Sequence, residues 1–322
     1  MVSVLIGIAR LASEGQLLEA KRAVEYRTLP SRGILNRCTS GKVPFSWTIN
    51  PYRGCEFACK YCYARYTHEF MELRAAEDFE TQIFAKQFTL DGFRRDLARV
   101  KRGEGIGIGT ATDPYQPAER RYGLTRRILR ALADTSGHRI FLTTKSDLVA
   151  RDVELLQEVH ARHWLQIGLT ITTLDDGLAR ALEPRAPRPE LRLEAVRTLA
   201  RAGLRVGVQS SPVLPLITDG EVEALARAAA GAGASSYMAY GVFLMPSALR
   251  VFLPFLEERY PHLVRKYEQR FAREAFLPEA YAAQLAERVR AARVKAGFAE
   301  RHNPEESYPE ATQIAAQMSL PF

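Results

Sequence analysis

The chain has 322 residues, 47% of them hydrophobic and 25% charged, with a formal net charge of +8. This length suits one α/β domain with extensions, and no apolar run approaches the length of a membrane-spanning helix, so we expect no membrane span. The positive charge allows a polyanionic partner. The start lacks a signal-peptide pattern and three of the four cysteines lie in one short run, so we expect a cytoplasmic protein without a disulfide framework.

From residue 47 onward, short runs rich in β-branched residues alternate with amphipathic helical stretches. Runs of this kind, bounded by Gly, Pro or charged residues, predict strands. The predicted strands are 47–52, 105–111, 139–145, 166–172, 205–212 and 236–243, and the predicted helices are 90–102, 124–133, 147–162, 191–202 and 219–230. Six such strand–helix units predict a parallel sheet, and no further strand is found after residue 245.

The pattern divides the chain into four predicted parts. These are an N-terminal extension (1–45), the strand–helix units (46–245), a C-terminal helical extension (246–301) and a flexible tail (302–322). The sequence gives no structure for the N-terminal extension. The C-terminal extension is predicted to be helical, with one apolar face formed by Leu253, Leu256, Tyr260, Leu263 and Tyr267.

A run of three cysteines follows the first predicted strand: Cys55, Cys59 and Cys62, in the spacing C-x3-C-x2-C. Three thiolates on a tight loop can bind three irons of a cubane iron–sulfur cluster and leave the fourth iron open to a non-protein ligand. The alternative is a structural zinc site with His68 as the fourth ligand, although zinc sites usually have two- or four-residue gaps and a second ligand pair. Cys38 has no partner at metal-binding spacing.

The cysteine spacing, with Tyr61 just before the last cysteine, resembles the loop of the radical S-adenosylmethionine (SAM) superfamily. The resemblance implies a [4Fe-4S] cluster held by Cys55, Cys59 and Cys62, with SAM chelated at the open iron and cleaved to a 5′-deoxyadenosyl radical. It also implies a low-potential electron donor such as flavodoxin or ferredoxin. The expected fold is therefore α/β, an open partial (β/α)6 TIM-type barrel with an N-terminal extension and a C-terminal helical extension.

Polar residues end the predicted strands, where barrels of this kind carry their chemistry. Thr112 and Asp113 follow the second strand, Lys145 lies at the end of the third, and the fourth carries Thr170. The resemblance implies that these four residues, with Tyr61, help to bind SAM. Asp113 would accept the SAM ammonium group, Lys145 would face the SAM carboxylate, and Thr170 would contact the ribose.

The helix after the fourth strand ends in Glu183-Pro-Arg185. Two interpretations of this segment remain open. Glu183 and Arg185 contact the cofactor, or they brace a loop as a salt bridge, which contributes little when exposed.

Five stretches resemble one branch of the superfamily, the spore photoproduct lyase-like proteins often labelled "DNA repair photolyase"; they are 47–55, 63–69, 112–119, 144–146 and 183–187. Spore photoproduct lyase returns hydrogen from a cysteine at the end of its second strand, where this chain has Ala111. Because alanine has no hydrogen of suitable bond strength, we expect a different reaction cycle, with Tyr115 as a candidate catalytic hydrogen donor. The expected substrate is nucleic acid, in repair or modification.

Two other functions remain open from the sequence. The first is radical SAM chemistry on a peptide or small metabolite. The second is a non-enzymatic, clamp-tethered DNA-binding module with structural zinc. The chain ends in Gln317-Met318-Ser-Leu320-Pro-Phe322, which resembles the short peptides that bind the bacterial sliding clamp. The polar segment before it resembles a linker, and the alternative is a tail that packs on the barrel.

Overall fold

The computed structural model describes residues 5–21, 24–31, 33–40 and 43–298. The predicted tail 302–322, with its clamp-binding motif, lies outside the described residues. No helix in the described ranges is long and apolar enough to cross a membrane.

Eleven strands form two sheets in the described parts of the chain. They are β1 (Leu17–Lys21), β2 (Val24–Pro30), β3 (Leu35–Arg37), β4 (Trp47–Ile49), β5 (Tyr52–Arg53), β6 (Gln82–Gln87), β7 (Gly105–Ile108), β8 (Arg139–Thr144), β9 (Trp164–Thr170), β10 (Val206–Val213) and β11 (Ser236–Gly241).

Thirteen α-helices are present in the same residues. They are α1 (Gly7–Ser13), α2 (Tyr66–Glu69), α3 (Asp78–Thr81), α4 (Leu90–Leu97), α5 (Glu119–Tyr122), α6 (Leu124–Ala133), α7 (Val153–Arg162), α8 (Asp176–Leu182), α9 (Pro189–Arg201), α10 (Val222–Gly231), α11 (Pro246–Arg259), α12 (Val264–Phe271) and α13 (Glu279–Lys295).

The larger sheet has the order β11-β10-β9-β8-β7-β4-β3. Its six strands from β4 to β11 are parallel, and β3 adds antiparallel to β4. Among the described residues β4 and β11 lie at opposite ends of the parallel run and do not pair, so the barrel is open. The predicted partial (β/α)6 barrel is confirmed.

Apolar side chains on the strands explain why the sheet binds its helices. Ile106, Ile140, Ile167 and Val206 are fully buried in the main core, which the helices between the strands complete. Burying a side chain of this size contributes about 1.5–3 kcal/mol. The core therefore fixes the strand register, and with it the positions of the residues at the strand ends.

The first predicted strand, 47–52, is divided between the two sheets. Trp47–Ile49 pairs with β7, whereas Tyr52–Arg53 pairs antiparallel with β6. Pro51 separates the two segments, and a proline has no N–H with which to continue a ladder. The prediction of one continuous strand was wrong at this point.

A smaller sheet with the order β1-β2-β6-β5 adjoins the barrel. It is built partly from the N-terminal segment that the sequence left without structure. Helix α1 packs on one face of this sheet through Ala12, against Leu29, Met71 and Phe84.

The predicted apolar face after residue 246 is buried in one cluster, but over three segments rather than one helix. Leu256 lies in α11, Leu263 in a 3-10 turn, and Tyr267 in α12. The same cluster contains Cys55 and Cys59, so these segments cover the cysteine loop. The division of the chain into an N-terminal extension, a barrel, a C-terminal extension and a tail stays a prediction.

Candidate active site

The cysteine loop begins at Gly54, which has a φ of 79°. A Cβ at this position would lie 2.8 Å from the backbone oxygens of Phe79 and Gln82, so only glycine fits. The next N–H, that of Cys55, donates to the carbonyl oxygen of Phe79 at 2.9 Å. This local geometry turns the chain from β5 into the loop.

Backbone contacts hold the rest of the loop. The Lys60 N–H donates to the carbonyl oxygen of Leu182 at 2.8 Å, which ties the loop to the end of α8. The buried Arg65 guanidinium donates to the carbonyl oxygen of Cys59 at 3.1 Å and pairs with Glu80 at 2.5 Å. The cysteines are thus positioned by a rigid support, as a metal-binding loop requires.

A cavity of about 320 Å³ opens at the C-terminal ends of the parallel strands. Its lining contains all three cysteines of the loop and residues that follow or end β7, β8, β9, β10 and β11. Eight predicted site residues meet there: Cys55, Cys59, Tyr61, Cys62, Thr112, Asp113, Lys145 and Thr170.

The electrostatics of the three thiols follow from their burial. Burial raises the pKa of Cys59 to about 12, with Lys145 lowering it in part and Glu183 raising it. Burial also raises the pKa values of Cys55 and Cys62. These thiols are therefore protonated at neutral pH without a metal, and a bound cluster would replace their protons.

Three thiols that line one cavity suit an iron–sulfur cluster. A structural zinc needs all its ligands within about 2.3 Å of one ion, whereas a cubane offers each cysteine a separate iron.

His68, the fourth ligand of the zinc alternative, lies in a different environment. Its Nε2 donates to the carbonyl oxygen of Gln82 at 2.9 Å, and its ring packs edge-on against Phe79 and Phe84. Burial lowers its pKa to about 4. His68 does not line the cavity, so the zinc alternative lacks its proposed fourth ligand.

Asp113 joins the ends of β7 and β8. Its carboxylate accepts hydrogen bonds from the Tyr115 N–H (2.9 Å), the Thr144 hydroxyl (2.6 Å) and the Lys145 N–H (2.7 Å). Burial raises the Asp113 pKa, against the effect of these hydrogen bonds. A carboxylate has about four acceptor positions, so one remains for a group in the cavity.

Lys145 extends over the Tyr61 ring, with its Nζ 5.7 Å from the ring centroid. Burial acts against its charge, but the neighbouring Cys59 and Glu183 raise its pKa overall. The lysine therefore remains an ammonium group at neutral pH and offers a cation to the cavity.

Behind this lysine lies a buried ion pair. Glu183 and Arg192 are each about 1% exposed, and their side chains approach to 2.5 Å. The hydroxyls of Tyr61 and Thr172 also donate to Glu183. Burial acts to raise the Glu183 pKa, but Arg192 and Lys145 lower it overall. Glu183 is absent from the cavity lining, so it supports Tyr61 and Lys145 from behind.

Sequence reasoning missed Arg192. Besides its ion pair, it donates to the carbonyl oxygens of Thr170 at 3.0 Å and Pro187 at 2.8 Å, which joins β9 to the loop before α9. In the sequence it is one of many arginines on amphipathic helices. Nothing local distinguishes it from the exposed ones.

Two further predicted residues lie outside the cavity. Tyr115 is buried in the main core, and burial together with Asp152 and Glu119 raises its pKa. Tyr115 does not line the cavity, and its role as a hydrogen donor stays a prediction. Arg185 is exposed, and its guanidinium donates to the carbonyl oxygen of Glu80 at 3.4 Å. Ala111 does line the cavity.

Comparison with known protein families agrees with the geometry of the site. The model of the Radical SAM superfamily matches residues 49–229, more than half of the chain. This chain belongs to the radical SAM superfamily. Membership implies a [4Fe-4S] cluster and SAM as cofactors.

Relatives of similar sequence extend over nearly the whole chain. An uncharacterized protein of Mycobacterium bovis is 34% identical over 313 residues, which cover 94% of this chain and 92% of that protein. An uncharacterized protein of Methanocaldococcus jannaschii is 29% identical over 245 residues, covering 74% and 86%.

Solved structures show the same fold at low identity. Spore photoproduct lyase complexed with dinucleoside spore photoproduct has a TM-score of 0.60 at 17% identity, covering 84% of this chain and 79% of that one. Streptococcus suis SuiB bound to precursor peptide SuiA has a TM-score of 0.51 at 15% identity, covering 77% and 46%. The predicted likeness to spore photoproduct lyase is therefore confirmed for the fold.

Proposed function

We propose that this radical SAM enzyme abstracts hydrogen from a nucleic acid in a repair or modification reaction. Cys55, Cys59 and Cys62 would hold the cluster. One observation carries the radical chemistry of this proposal: three thiols and a half-buried ammonium group line a single cavity at the C-terminal ends of six parallel strands. When bound, the cluster and SAM would supply a 5′-deoxyadenosyl radical by reductive cleavage.

The residues around the cavity have distinct proposed tasks. Lys145 would bind the carboxylate of SAM, since the nearby Glu183 carboxylate favours its charged ammonium form. Asp113 would accept from the SAM amino group with its remaining lone pair. Thr112 and Thr170 would contact the rest of SAM, and Tyr61 would support Lys145 through its ring. The segments packed on the loop would exclude water.

Two observations support a nucleic acid as substrate. The net charge of +8 favours binding to a polyanion. The fold is shared with spore photoproduct lyase, whose structure contains a dinucleoside photoproduct. Ala111 lines the cavity where we expected the hydrogen-returning cysteine of that enzyme, and Tyr115 lies outside it, so we propose a different route for hydrogen return.

The proposal includes partners. A low-potential donor such as flavodoxin or ferredoxin would reduce the cluster in the cytoplasm. Gln317, Met318, Leu320 and Phe322 would bind a sliding clamp and bring the enzyme to DNA. Removal of residues 317–322 should abolish clamp binding and leave SAM cleavage unchanged. Normal clamp binding by the shortened chain would contradict this part of the proposal.

The first experiment measures SAM cleavage. After anaerobic reconstitution with iron and sulfide, dithionite and SAM are added and 5′-deoxyadenosine is quantified. We expect product from the wild type and from Cys38→Ala, whose thiol is buried outside the cavity, but none from Cys59→Ala. Equal product from wild type and Cys59→Ala, or zinc instead of iron in the purified protein, would contradict the proposal.

A second experiment tests the substrate class. Single- and double-stranded oligonucleotides, with and without damaged bases, are added to the reconstituted enzyme. We expect some of them to raise 5′-deoxyadenosine formation and to acquire a chemical change that mass spectrometry detects. Stimulation by peptides or small metabolites alone would replace nucleic acid as the substrate while leaving the radical chemistry in place.

A further inference from the structure

A second cavity, of about 560 Å³, lies between α1 and the smaller sheet. Its lining includes Lys86 of β6, Arg53 of β5 and Arg10 of α1. None of the residues named so far for SAM or the cluster lines it. The cavity is therefore separate from the candidate active site, although Arg53 is only two residues before Cys55.

Strand register places Arg53 and Lys86 on one face of the smaller sheet. Arg53 lies opposite Phe84 in the antiparallel pair of β5 and β6. Lys86 is two residues after Phe84 on the same strand, and alternate residues of a strand share a face. Both cations are partly buried there, beside the apolar cluster that packs under α1.

No carboxylate in the described part of the chain balances this pair. Among the residues the structure describes, Lys86 makes no side-chain hydrogen bond or ion pair, and Arg53 donates only to the carbonyl oxygen of Thr67, at 3.1 Å. Arg10 is paired with the exposed Glu14, which does not line the cavity. Burial and the neighbouring Arg53 lower the pKa of Lys86 to about 7.

Unpaired charges in a partly buried position are costly unless a partner compensates them. An anion between Lys86 and Arg53 would supply that partner. A guanidinium fork and an ammonium together provide several N–H donors, which suits an oxyanion with several acceptor oxygens. The amide of Asn36 also lines the cavity; it donates one N–H to the carbonyl oxygen of Ile34 and has a second N–H for the anion.

We propose that this cavity is a phosphate-binding site in which Lys86 and Arg53 hold a phosphate group. The phosphate comes either from the backbone of a nucleic acid strand or from a free phosphate ion. The proposal stands whether or not the active site uses nucleic acid, since none of the residues on which it depends lines the candidate active site.

Calorimetric titration of the full chain with inorganic phosphate, in a chloride buffer, tests the site. We expect Lys86→Met to weaken phosphate binding by about tenfold or more, which corresponds to about 1.4 kcal/mol. Lys86→Arg should retain binding. Lys266→Met is the matched control, because Lys266 is exposed on α12, and it should bind as the wild type does. Equal phosphate affinity of the wild type and Lys86→Met would overturn the proposal, as would no binding by the wild type.

Hydrogen exchange of the wild type gives a readout that needs no variant. Phosphate should slow exchange in α1 and β6 and leave α10 unchanged, whereas uniform slowing would indicate a general salt effect and overturn the proposal. A short single-stranded oligonucleotide is then added. Displacement of phosphate by the oligonucleotide assigns the site to the nucleic acid backbone, and phosphate binding without displacement assigns it to the free ion.

Discussion

The two cavities each contain a partly buried lysine. The charged groups near one lysine are mainly negative, and the charged group near the other is positive. Near Lys145 lie Cys59, Glu183 and Asp113, which raise its pKa. Near Lys86 the charged neighbour is Arg53, and the Lys86 pKa falls to about 7. The same side chain is thus a compensated cation in one cavity and an uncompensated one in the other.

This difference indicates what each cavity lacks. Around Lys145 the protein supplies its own counter-charges, so the lysine is held in place before any ligand arrives. Around Lys86 the missing counter-charge is left to a ligand. Variants that remove a charge should therefore destabilise the first region and stabilise the second.

The largest effect is expected from Arg192→Met. Removal of this guanidinium leaves the Glu183 carboxylate buried without its counter-charge, which costs about 3–5 kcal/mol. Urea unfolding measures the loss. Arg188→Met is the matched control, because Arg188 lies nearby in sequence but its ion pair with Asp176 is exposed. A loss below about 1 kcal/mol for Arg192→Met would show that the charges behind Lys145 are not coupled as the geometry indicates.

The next effect concerns ligand binding. Lys145→Met should weaken SAM binding about 10- to 100-fold, because a hydrogen bond between charged groups contributes about 1.5–3 kcal/mol. Equilibrium dialysis with the reconstituted protein measures it. Lys145→Arg should recover part of the affinity, and Lys101→Met, at an exposed lysine, should change nothing. Unchanged affinity in Lys145→Met would remove the lysine from the SAM site.

The sequence predicted the framework of the first region well. The six parallel strands were recognised because β-branched runs bounded by glycine or charge are local patterns. The cysteines and Lys145 were placed correctly at one edge because the C-terminal ends of parallel strands meet there. Strand order and the strand ends are enough for those inferences.

The remaining features depend on contacts between distant parts of the chain. Arg192 meets Glu183 across a loop, and Lys86 meets Arg53 only because β6 pairs with the two-residue strand β5. The direction of a side chain is a further such feature: Tyr115 is two residues from Asp113, yet it is buried in the main core. No sequence pattern fixes which way such a turn points its side chains.

A smaller effect, counted per unit of pH, is expected in the pH dependence of stability. The Lys86 pKa is lowered from 10.5 in the unfolded chain to about 7 in the folded one. Between these values the unfolded state binds one more proton, so this group makes stability rise with pH, by at most about 1.4 kcal/mol per pH unit. Lys86→Met should remove this rise of the free energy of unfolding with pH, and Lys266→Met should retain it.

Urea unfolding is measured at several pH values between the two pKa values of Lys86. The contribution of Lys86 is the difference in pH slope between the wild type and Lys86→Met. Other groups titrate equally in both, so they cancel. An identical pH slope in Lys86→Met and the wild type would mean that Lys86 is solvated like an ordinary lysine. The contrast with Lys145 would then be lost.

The smallest effect is expected from Arg185→Ala. The guanidinium is exposed and makes one long hydrogen bond, to the carbonyl oxygen of Glu80, so its removal should change the KM for SAM by less than about twofold. Lys145→Met serves as the positive control in the same assay. A tenfold rise in KM for Arg185→Ala would show that the Glu-Pro-Arg segment reaches SAM when SAM binds. In that case Arg185 and Lys145 would both supply positive charge to SAM. The Glu183 carboxylate would then be a counter-charge for both cations.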